Sequence, residues 1–208
     1  MTSFNLPAFM REWRAVRHTD GTRITQAELD LVRSAIEGRW TPEPSSSVVE
    51  PKWVVEARRR IGEREIPGPK HNSWIAAGWG KLGARWFNDD ETPWCGFFVA
   101  HCLQEAGLSI PSAAQFPRAL AWSNWGQECS PAVGAVAVFK RSGGGHVGFL
   151  VGESAADYYV LGGNQANMVN IMPLAKNRFV GTRWPSTLPL PNGGLPRMTG
   201  GTVSTNEA

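Results

Sequence analysis

The sequence predicts an α+β fold, because helical and strand patterns occupy separate parts of the chain. Apolar residues recur at helical spacing in several stretches before residue 108. From Pro131 onward, short runs rich in β-branched and aromatic residues alternate with turns rich in glycine and serine. Helices and strands that are segregated along a chain are typical of α+β folds, whereas alternating elements are typical of α/β folds.

Composition divides the 208 residues into four predicted parts. Residues 1–40 predict a small helical unit, and residues 41–51 predict a linker because they contain three prolines and a serine run. Residues 52–186 form the main domain. The tail, residues 187–208, is rich in Pro, Gly, Ser and Thr and is expected to be disordered.

The stretch 92–103 predicts a buried helix that begins abruptly. Thr92 is a natural N-cap, Pro93 suits the first helical position, and Gly107 is a plausible end. Cys95 then lies in the first turn, where free N–H groups and the positive end of the helix dipole favour a thiolate. This stretch alone leaves two interpretations about equally open, a nucleophile and a buried structural cysteine.

The remaining composition excludes several classes of function. The three cysteines form no disulfide framework, since Cys95 and Cys102 lie roughly 10 Å apart along one helix, too far to bridge. No cysteine or histidine cluster has the spacing of a zinc site. We expect no metal or cofactor. Lys and Arg are not clustered, so no nucleic-acid partner is expected. No apolar stretch is long enough to insert in a membrane, and the N-terminus lacks a signal-peptide pattern.

The strand patterns place a histidine near a polar amide. Strands are predicted over residues 133–139, 146–152 and 158–165, with further strands over 169–172 and 179–184. His146 begins the second strand, and folding of the following hairpin sets it opposite Gly163 or Asn164. A helix-borne cysteine, a histidine and an amide are the groups of a thiol acyl-transfer enzyme, although a lone histidine at a strand start is more often structural.

Residues 52–185 resemble the papain-like cell-wall hydrolases of the NlpC and CHAP superfamily, and in particular a phage and prophage branch. The motifs that carry the resemblance are Ile61-Gly62-Glu63-Arg64-Glu65-Ile66-Pro67-Gly68, Glu91-Thr92-Pro93-Trp94-Cys95, Gly145-His146-Val147-Gly148-Phe149, Leu161-Gly162-Gly163-Asn164-Gln165 and Arg183-Trp184-Pro185. The resemblance implies a papain-like fold in which the nucleophile helix packs on an antiparallel sheet.

The resemblance also implies the roles of individual residues. Cys95 is the expected nucleophile and His146 the expected base. CHAP enzymes often carry a glutamate at the position of Gly162, so Asn164 is the expected orienter of the imidazole and Gln165 the alternative. Glu91 and Trp94 are further candidates for an orienting or substrate-binding role.

The expected function is hydrolysis of bacterial peptidoglycan by an endolysin-like enzyme. The bond could be in the stem peptide or at the muramoyl–alanine junction, so amidase and endopeptidase activities both stay open. We expect a monomer that is made in the host cytoplasm and acts on the wall in the periplasm. Release through a holin is one route, and a virion-carried enzyme or an injected toxin is another.

Two other classes of function stay open from the sequence. The first is a non-catalytic wall-binding or phage structural module on a papain-like fold. The second is an acyltransferase on the same scaffold, for which the sequence shows no amine acceptor site.

Overall fold

The computed structural model describes residues 29–30, 32–34 and 50–200. The chain divides into two units, residues 1–49 and 50–208. Residues 29–30 and 32–34 are helical. The rest of the predicted N-terminal helical unit and residues 41–49 of the predicted linker lie outside the described residues, so those assignments stay predictions.

Three α-helices precede the sheet in the second unit. They are α1 (Lys52–Arg59), α2 (Ser73–Lys81) and α3 (Cys95–Glu105), and a 3₁₀ helix follows at Ala119–Asn124. α1 buries one face through Trp53, Val54 and Ala57. α2 begins where the Asn72 side chain accepts a hydrogen bond from the Trp74 N–H, which satisfies one free donor of its first turn.

All strand pairs are antiparallel, and the six strands lie in the order β1-β6-β2-β3-β4-β5. Their bounds are β1 Gln127–Glu128, β2 Val136–Arg141, β3 Gly144–Glu153, β4 Asp157–Gly162, β5 Asn170–Ala175 and β6 Phe179–Trp184. Helices followed by one antiparallel sheet confirm the predicted α+β fold.

The main core lies between the helices and one face of the sheet. α3 is buried along almost its whole length and packs against β3 and α1. In this core the Trp79 ring contacts the rings of Phe97 and Phe116. Because α3 is enclosed on so many sides, its first residue is held rigidly relative to the sheet.

The opposite face of the sheet is also covered. Alternate residues of β2 divide between the two faces, since Val136 and Val138 join the main core while Ala137 and Phe139 join a second cluster. Leu195, from the segment after β6, packs against this second cluster. A sheet that is buried on both faces explains why β2 is apolar at successive positions.

The segment after β6 packs against the domain through residue 200, which differs from the expected disordered tail. The Glu153 N–H donates to Pro196 O (2.9 Å), and the Met198 N–H donates to Glu153 O (2.8 Å). The Tyr159 hydroxyl donates to Gly200 O (2.6 Å). Composition missed this order because the partners are on distant strands. Residues 201–208 lie outside the described residues.

In the described part of the chain, no helix is both long and apolar enough to cross a membrane.

Candidate active site

Cys95 is the first residue of α3, which begins two residues later than the sequence predicts. Trp94 occupies the cap position and makes no side-chain cap bond. Thr92 is not the cap, because its N–H and hydroxyl both donate to the carboxylate of Asp89 (2.6 and 3.2 Å). The predicted first-turn position of Cys95 is retained. At the other end, Gly107 has a φ of 78° and closes the helix as expected.

A close approach of two backbones fixes the start of α3. A Cβ at Gly96 would collide with the carbonyl oxygen of Phe116. Glycine is therefore required at this position, and the segment that precedes the 3₁₀ helix lies directly against the nucleophile turn. This segment forms one side of the candidate site.

The Cys95 thiol is enclosed, with 4% of the residue exposed. Burial raises the pKa of the thiol, while hydrogen bonds from the backbone N–H groups of Val147 and Gly96 and the charge of Arg141 lower it; the net direction is upward. The helix terminus alone therefore does not produce the thiolate that the sequence predicts, because the cost of burying the charge is larger. Ionisation of this thiol needs a proton acceptor.

The contact with Val147 brings the thiol to the strand that carries His146. His146 is fully buried in β3, opposite Phe139 of β2. Its Nε2 atom lies 3.0 Å from Oε1 of Gln165. The amide that contacts the imidazole is thus that of Gln165, the alternative named from the sequence, and not that of Asn164.

The hydrogen bonds of Gln165 define which imidazole nitrogen is protonated. The Gln165 Nε2 group donates to Val160 O (3.2 Å) and to the backbone and side-chain oxygens of Asn170 (2.9 and 2.8 Å). The NH₂ end of the amide therefore faces oxygens, and Oε1 faces the imidazole. Since Oε1 can only accept, His146 Nε2 carries the proton and Nδ1 carries the lone pair in the neutral ring.

Gly162 makes room for this hydrogen bond. A Cβ at Gly162 would lie 2.7 Å from Gln165 Oε1 and 3.0 Å from His146 Nε2. The direction in which a side chain at 162 would point is therefore the direction of the imidazole. The Gln165 side chain reaches His146 Nε2 from the loop after β4. The group beside the imidazole therefore comes from position 165 and not from position 162.

Asn164 instead contacts Glu65 and Trp94, the residue that precedes Cys95. In the amide orientation that satisfies both ends, its Nδ2 donates to Glu65 Oε1 (2.9 Å) and its Oδ1 accepts from the Trp94 N–H (3.3 Å). Asn164 has a φ of 56°, in the left-handed region. This conformation turns the chain so that side chains 164 and 165 point to different partners.

Trp94 and Glu65 complete the support of the nucleophile turn. The Trp94 indole is buried, and its Nε1 donates to Glu65 Oε1 (2.9 Å). Burial raises the pKa of Glu65; the Trp94 hydrogen bond lowers it, and the nearby Asp90 and Glu91 charges raise it further. Trp94 is thus a packing and anchoring residue in this structure.

An open groove of about 300 Å³ lies near the turn that precedes α3, and neither Cys95 nor His146 is among the residues that line it. Its lining consists of Arg64, Glu65, Ile66, Pro67, Asp90, Glu91, Ala166, Asn167 and Met168. Glu91 is exposed on this groove, whereas Asp90 is buried and accepts hydrogen bonds from the Ile66 and Asn72 N–H groups and from His71. Of the two, only Glu91 is free to face a bound molecule.

Comparison with known families agrees with this arrangement. Residues 87–164 match the model of the CHAP domain family, and this range includes Cys95 and His146. This part of the chain is similar to CHAP domains. CHAP domains are generally cysteine- and histidine-dependent amidases or peptidases, and they imply peptidoglycan as the substrate. No curated protein and no solved structure is significantly similar to the chain. The assignment to a phage branch stays a prediction.

Sequence reasoning missed two residues of this site, Glu65 and Asn170. Glu65 belongs to a motif that was recognised, but its link to Trp94 depends on the tertiary fold. Asn170 gives no signal in the sequence, because its partner Gln165 lies across a hairpin loop. Gly145 and Gly148, on either side of His146, accommodate the side chains of Leu120 and Val160.

Proposed function

We propose that this CHAP-like domain hydrolyses an amide bond of peptidoglycan through a Cys95 thiolate, with His146 as the base and Gln165 as the orienting residue. One observation carries the proposal. The Cys95 thiol contacts the Val147 N–H, next to a histidine whose Nε2–H is held by Gln165 and whose Nδ1 therefore has the lone pair. A buried thiol and a buried imidazole base are the groups that acyl transfer requires.

The reaction begins when His146 Nδ1 accepts the thiol proton and the Cys95 sulfur attacks the carbonyl carbon of the scissile amide. The carbonyl oxygen becomes an oxyanion near the N–H groups of the first turn of α3. The C–N bond then breaks, and the imidazolium gives its proton to the leaving nitrogen. The product is a thioester between Cys95 and the acyl part of the substrate.

Hydrolysis of the thioester restores the enzyme. A water molecule gives a proton to His146 Nδ1 and attacks the thioester carbonyl carbon. The C–S bond breaks, the acid product leaves, and the proton returns to the Cys95 sulfur. Gln165 keeps the imidazole in one tautomer through both steps, which is the role of the third member of such a site.

The groove lined by Glu65 and Glu91 is the place that we propose for part of the substrate. Glu65, in its lining, accepts a hydrogen bond from the indole of Trp94, the residue before Cys95. The exposed Glu91 carboxylate is suited to a cationic group of a stem peptide. An endolysin-like role is the biological setting that we propose. A sequence pI near 9.0 suits approach to an anionic cell envelope.

The test is digestion of purified peptidoglycan by the wild-type protein and by Cys95→Ala, with products read by mass spectrometry. Sugar chains with free lactyl groups, together with intact stem peptides, indicate an amidase. Shortened stems on sugar indicate an endopeptidase. We expect Cys95→Ala to release neither product while it keeps the wild-type circular dichroism spectrum. Equal digestion by both proteins would refute the proposed nucleophile, and digestion by neither would favour a binding module.

A further inference from the structure

We propose that Asn170 is a positioning residue of this site, which holds the Gln165 amide in one orientation and thereby keeps the His146 imidazole as its Nε2–H tautomer. The catalytic consequence rests on the proposed function, whereas the tautomer itself does not. Asn170 contacts neither the thiol nor the imidazole in any hydrogen bond of the site described above. Its effect must therefore pass through Gln165.

The position of Asn170 suits this role. It is the first residue of β5 and lies opposite Gly162, the last residue of β4. The two residues close the hairpin loop 163–169, which carries Gln165. Asn170 is therefore fixed by the sheet, while the amide that it contacts lies in the loop above it.

Two sets of hydrogen bonds join Asn170 to Gln165. The Gln165 Nε2 group donates to Asn170 Oδ1 (2.8 Å) and to Asn170 O (2.9 Å). In the reverse direction, Asn170 Nδ2 donates to the backbone carbonyl of Gln165 (2.9 Å). The side chain of Asn170 thus binds both the amide and the main chain of Gln165.

Other contacts hold the loop itself, so its shape does not depend on Asn170 alone. The Glu65 N–H donates to Asn167 O, and the Gln165 N–H donates to Met168 O, both at 3.0 Å. Asn164, Ala166 and Asn167 have φ values of 56°, 53° and 60°. Such left-handed residues persist only where the surroundings determine them strongly.

The alternative orientation of the amide defines what Asn170 prevents. If the Gln165 amide were rotated by half a turn, its NH₂ group would face His146 Nε2 and its oxygen would face the oxygens of Asn170 and Val160. The imidazole would then accept at Nε2 and carry its proton on Nδ1. In that tautomer the lone pair is on Nε2, so Nδ1 cannot accept the thiol proton.

The first test measures the tautomer without using activity. Side-chain ¹⁵N spectra of the reduced full chain, labelled at histidine and assigned with His146→Gln, report which nitrogen of His146 is protonated. We expect Nε2–H in the wild type and in the exposed control Asn177→Ala. Asn170→Ala removes the side-chain acceptor among the three oxygens that face the Gln165 NH₂ group, and it should show a population of Nδ1–H that the wild type lacks. An Nδ1–H wild type, or an unchanged tautomer in Asn170→Ala, would overturn the inference.

The second test is a double-mutant cycle on wall digestion. Asn170→Ala loses the acceptor for the Gln165 NH₂ group and the donor to the Gln165 carbonyl. The loss of the acceptor predicts a roughly tenfold lower kcat with little change in KM. In a Gln165→Ala background, Asn170→Ala should cause no further loss, because its route of action is already absent. The same fold loss in both backgrounds would show a general structural effect and contradict the proposal.

The two tests separate the two claims. If the wild type digests no wall but Asn170→Ala shifts the tautomer, the proposed function fails and the assignment of Asn170 as the residue that fixes the tautomer stands. If the wild type digests wall and the tautomer does not move, the proposed function stands and the assignment of Asn170 fails.

Discussion

Gly162→Ala tests whether the His146–Gln165 hydrogen bond sets the rate. The backbone at Gly162 does not have a positive φ, so alanine is acceptable there and the effect is one of space alone. The new Cβ would lie 2.7 Å from Gln165 Oε1, whereas ordinary packing begins at about 3.4 Å. The oxygen must therefore retreat by about 0.7 Å, as an order-of-magnitude displacement.

Such a displacement takes the hydrogen bond out of its normal range. The His146 Nε2 to Gln165 Oε1 distance is 3.0 Å, and a contact of roughly 3.6 Å is too long for an N–H···O hydrogen bond. The Gln165 amide cannot yield easily, because its NH₂ group is bound to Val160 and Asn170. A buried donor without its acceptor costs about 1–3 kcal/mol. An equal loss in the transition state predicts a fall in kcat of about 10- to 100-fold.

The assay is the rate of release of soluble fragments from purified peptidoglycan, together with urea unfolding. Gly181→Ala is the matched control, since it is also a strand glycine and its new Cβ would meet nothing within 4 Å. We expect Gly181→Ala to keep the wild-type rate. If a folded Gly162→Ala digested wall as fast as this control, the orienting role of Gln165 would be refuted.

Two further predictions concern the supports of the site. Asp90→Asn should lower the free energy of unfolding by about 3 kcal/mol, because a buried carboxylate loses charge-assisted hydrogen bonds, whereas the exposed control Glu128→Gln should change it by less than about 0.5 kcal/mol. Burial raises the pKa of Asp90, but its hydrogen bonds lower it more. The stability that the Asp90 carboxylate contributes is therefore fully present above the ordinary pKa of an aspartate, and it is lost as the pH falls through the lowered pKa of the folded protein. The hydrogen bond with Asp90 raises the pKa of His71. The stability that protonated His71 contributes is therefore fully present below the ordinary pKa of a histidine, and it is lost as the pH rises through the raised pKa of the folded protein. Urea unfolding across pH should therefore show the largest Asp90→Asn effect between roughly pH 4 and 6.5, and a pH-independent effect would contradict the ion pair. Gly96→Ala should lower the free energy of unfolding by about 1–3 kcal/mol and abolish wall digestion, because its Cβ meets the Phe116 carbonyl. The control Gly80→Ala in α2, whose Cβ would meet nothing within 4 Å, should raise the free energy of unfolding by about 0.5–1 kcal/mol. Equal effects of the two substitutions would contradict the steric argument.

Local patterns were sufficient to predict the α+β class and the position of Cys95 in the first turn of a helix. Hydrophobic periodicity and turn residues act over a few positions, so they can be detected without the fold. The strand that carries His146 was predicted in the same way, although it begins two residues earlier, at Gly144. The start of α3 was missed by two residues, because Thr92 pairs with Asp89 in a turn that competes with the predicted cap.

Only the tertiary structure decided which amide reaches the imidazole. Asn164 and Gln165 are neighbours and chemically similar, so composition and spacing cannot distinguish them. The left-handed backbone at Asn164 directs its side chain to Trp94 and Glu65, and Gln165 then meets His146. The rise in the pKa of Cys95 has the same origin, since burial of the thiol depends on elements that are distant in sequence. Local sequence thus determined the elements and their reactive residues, while long-range packing determined the partners and protonation of those residues.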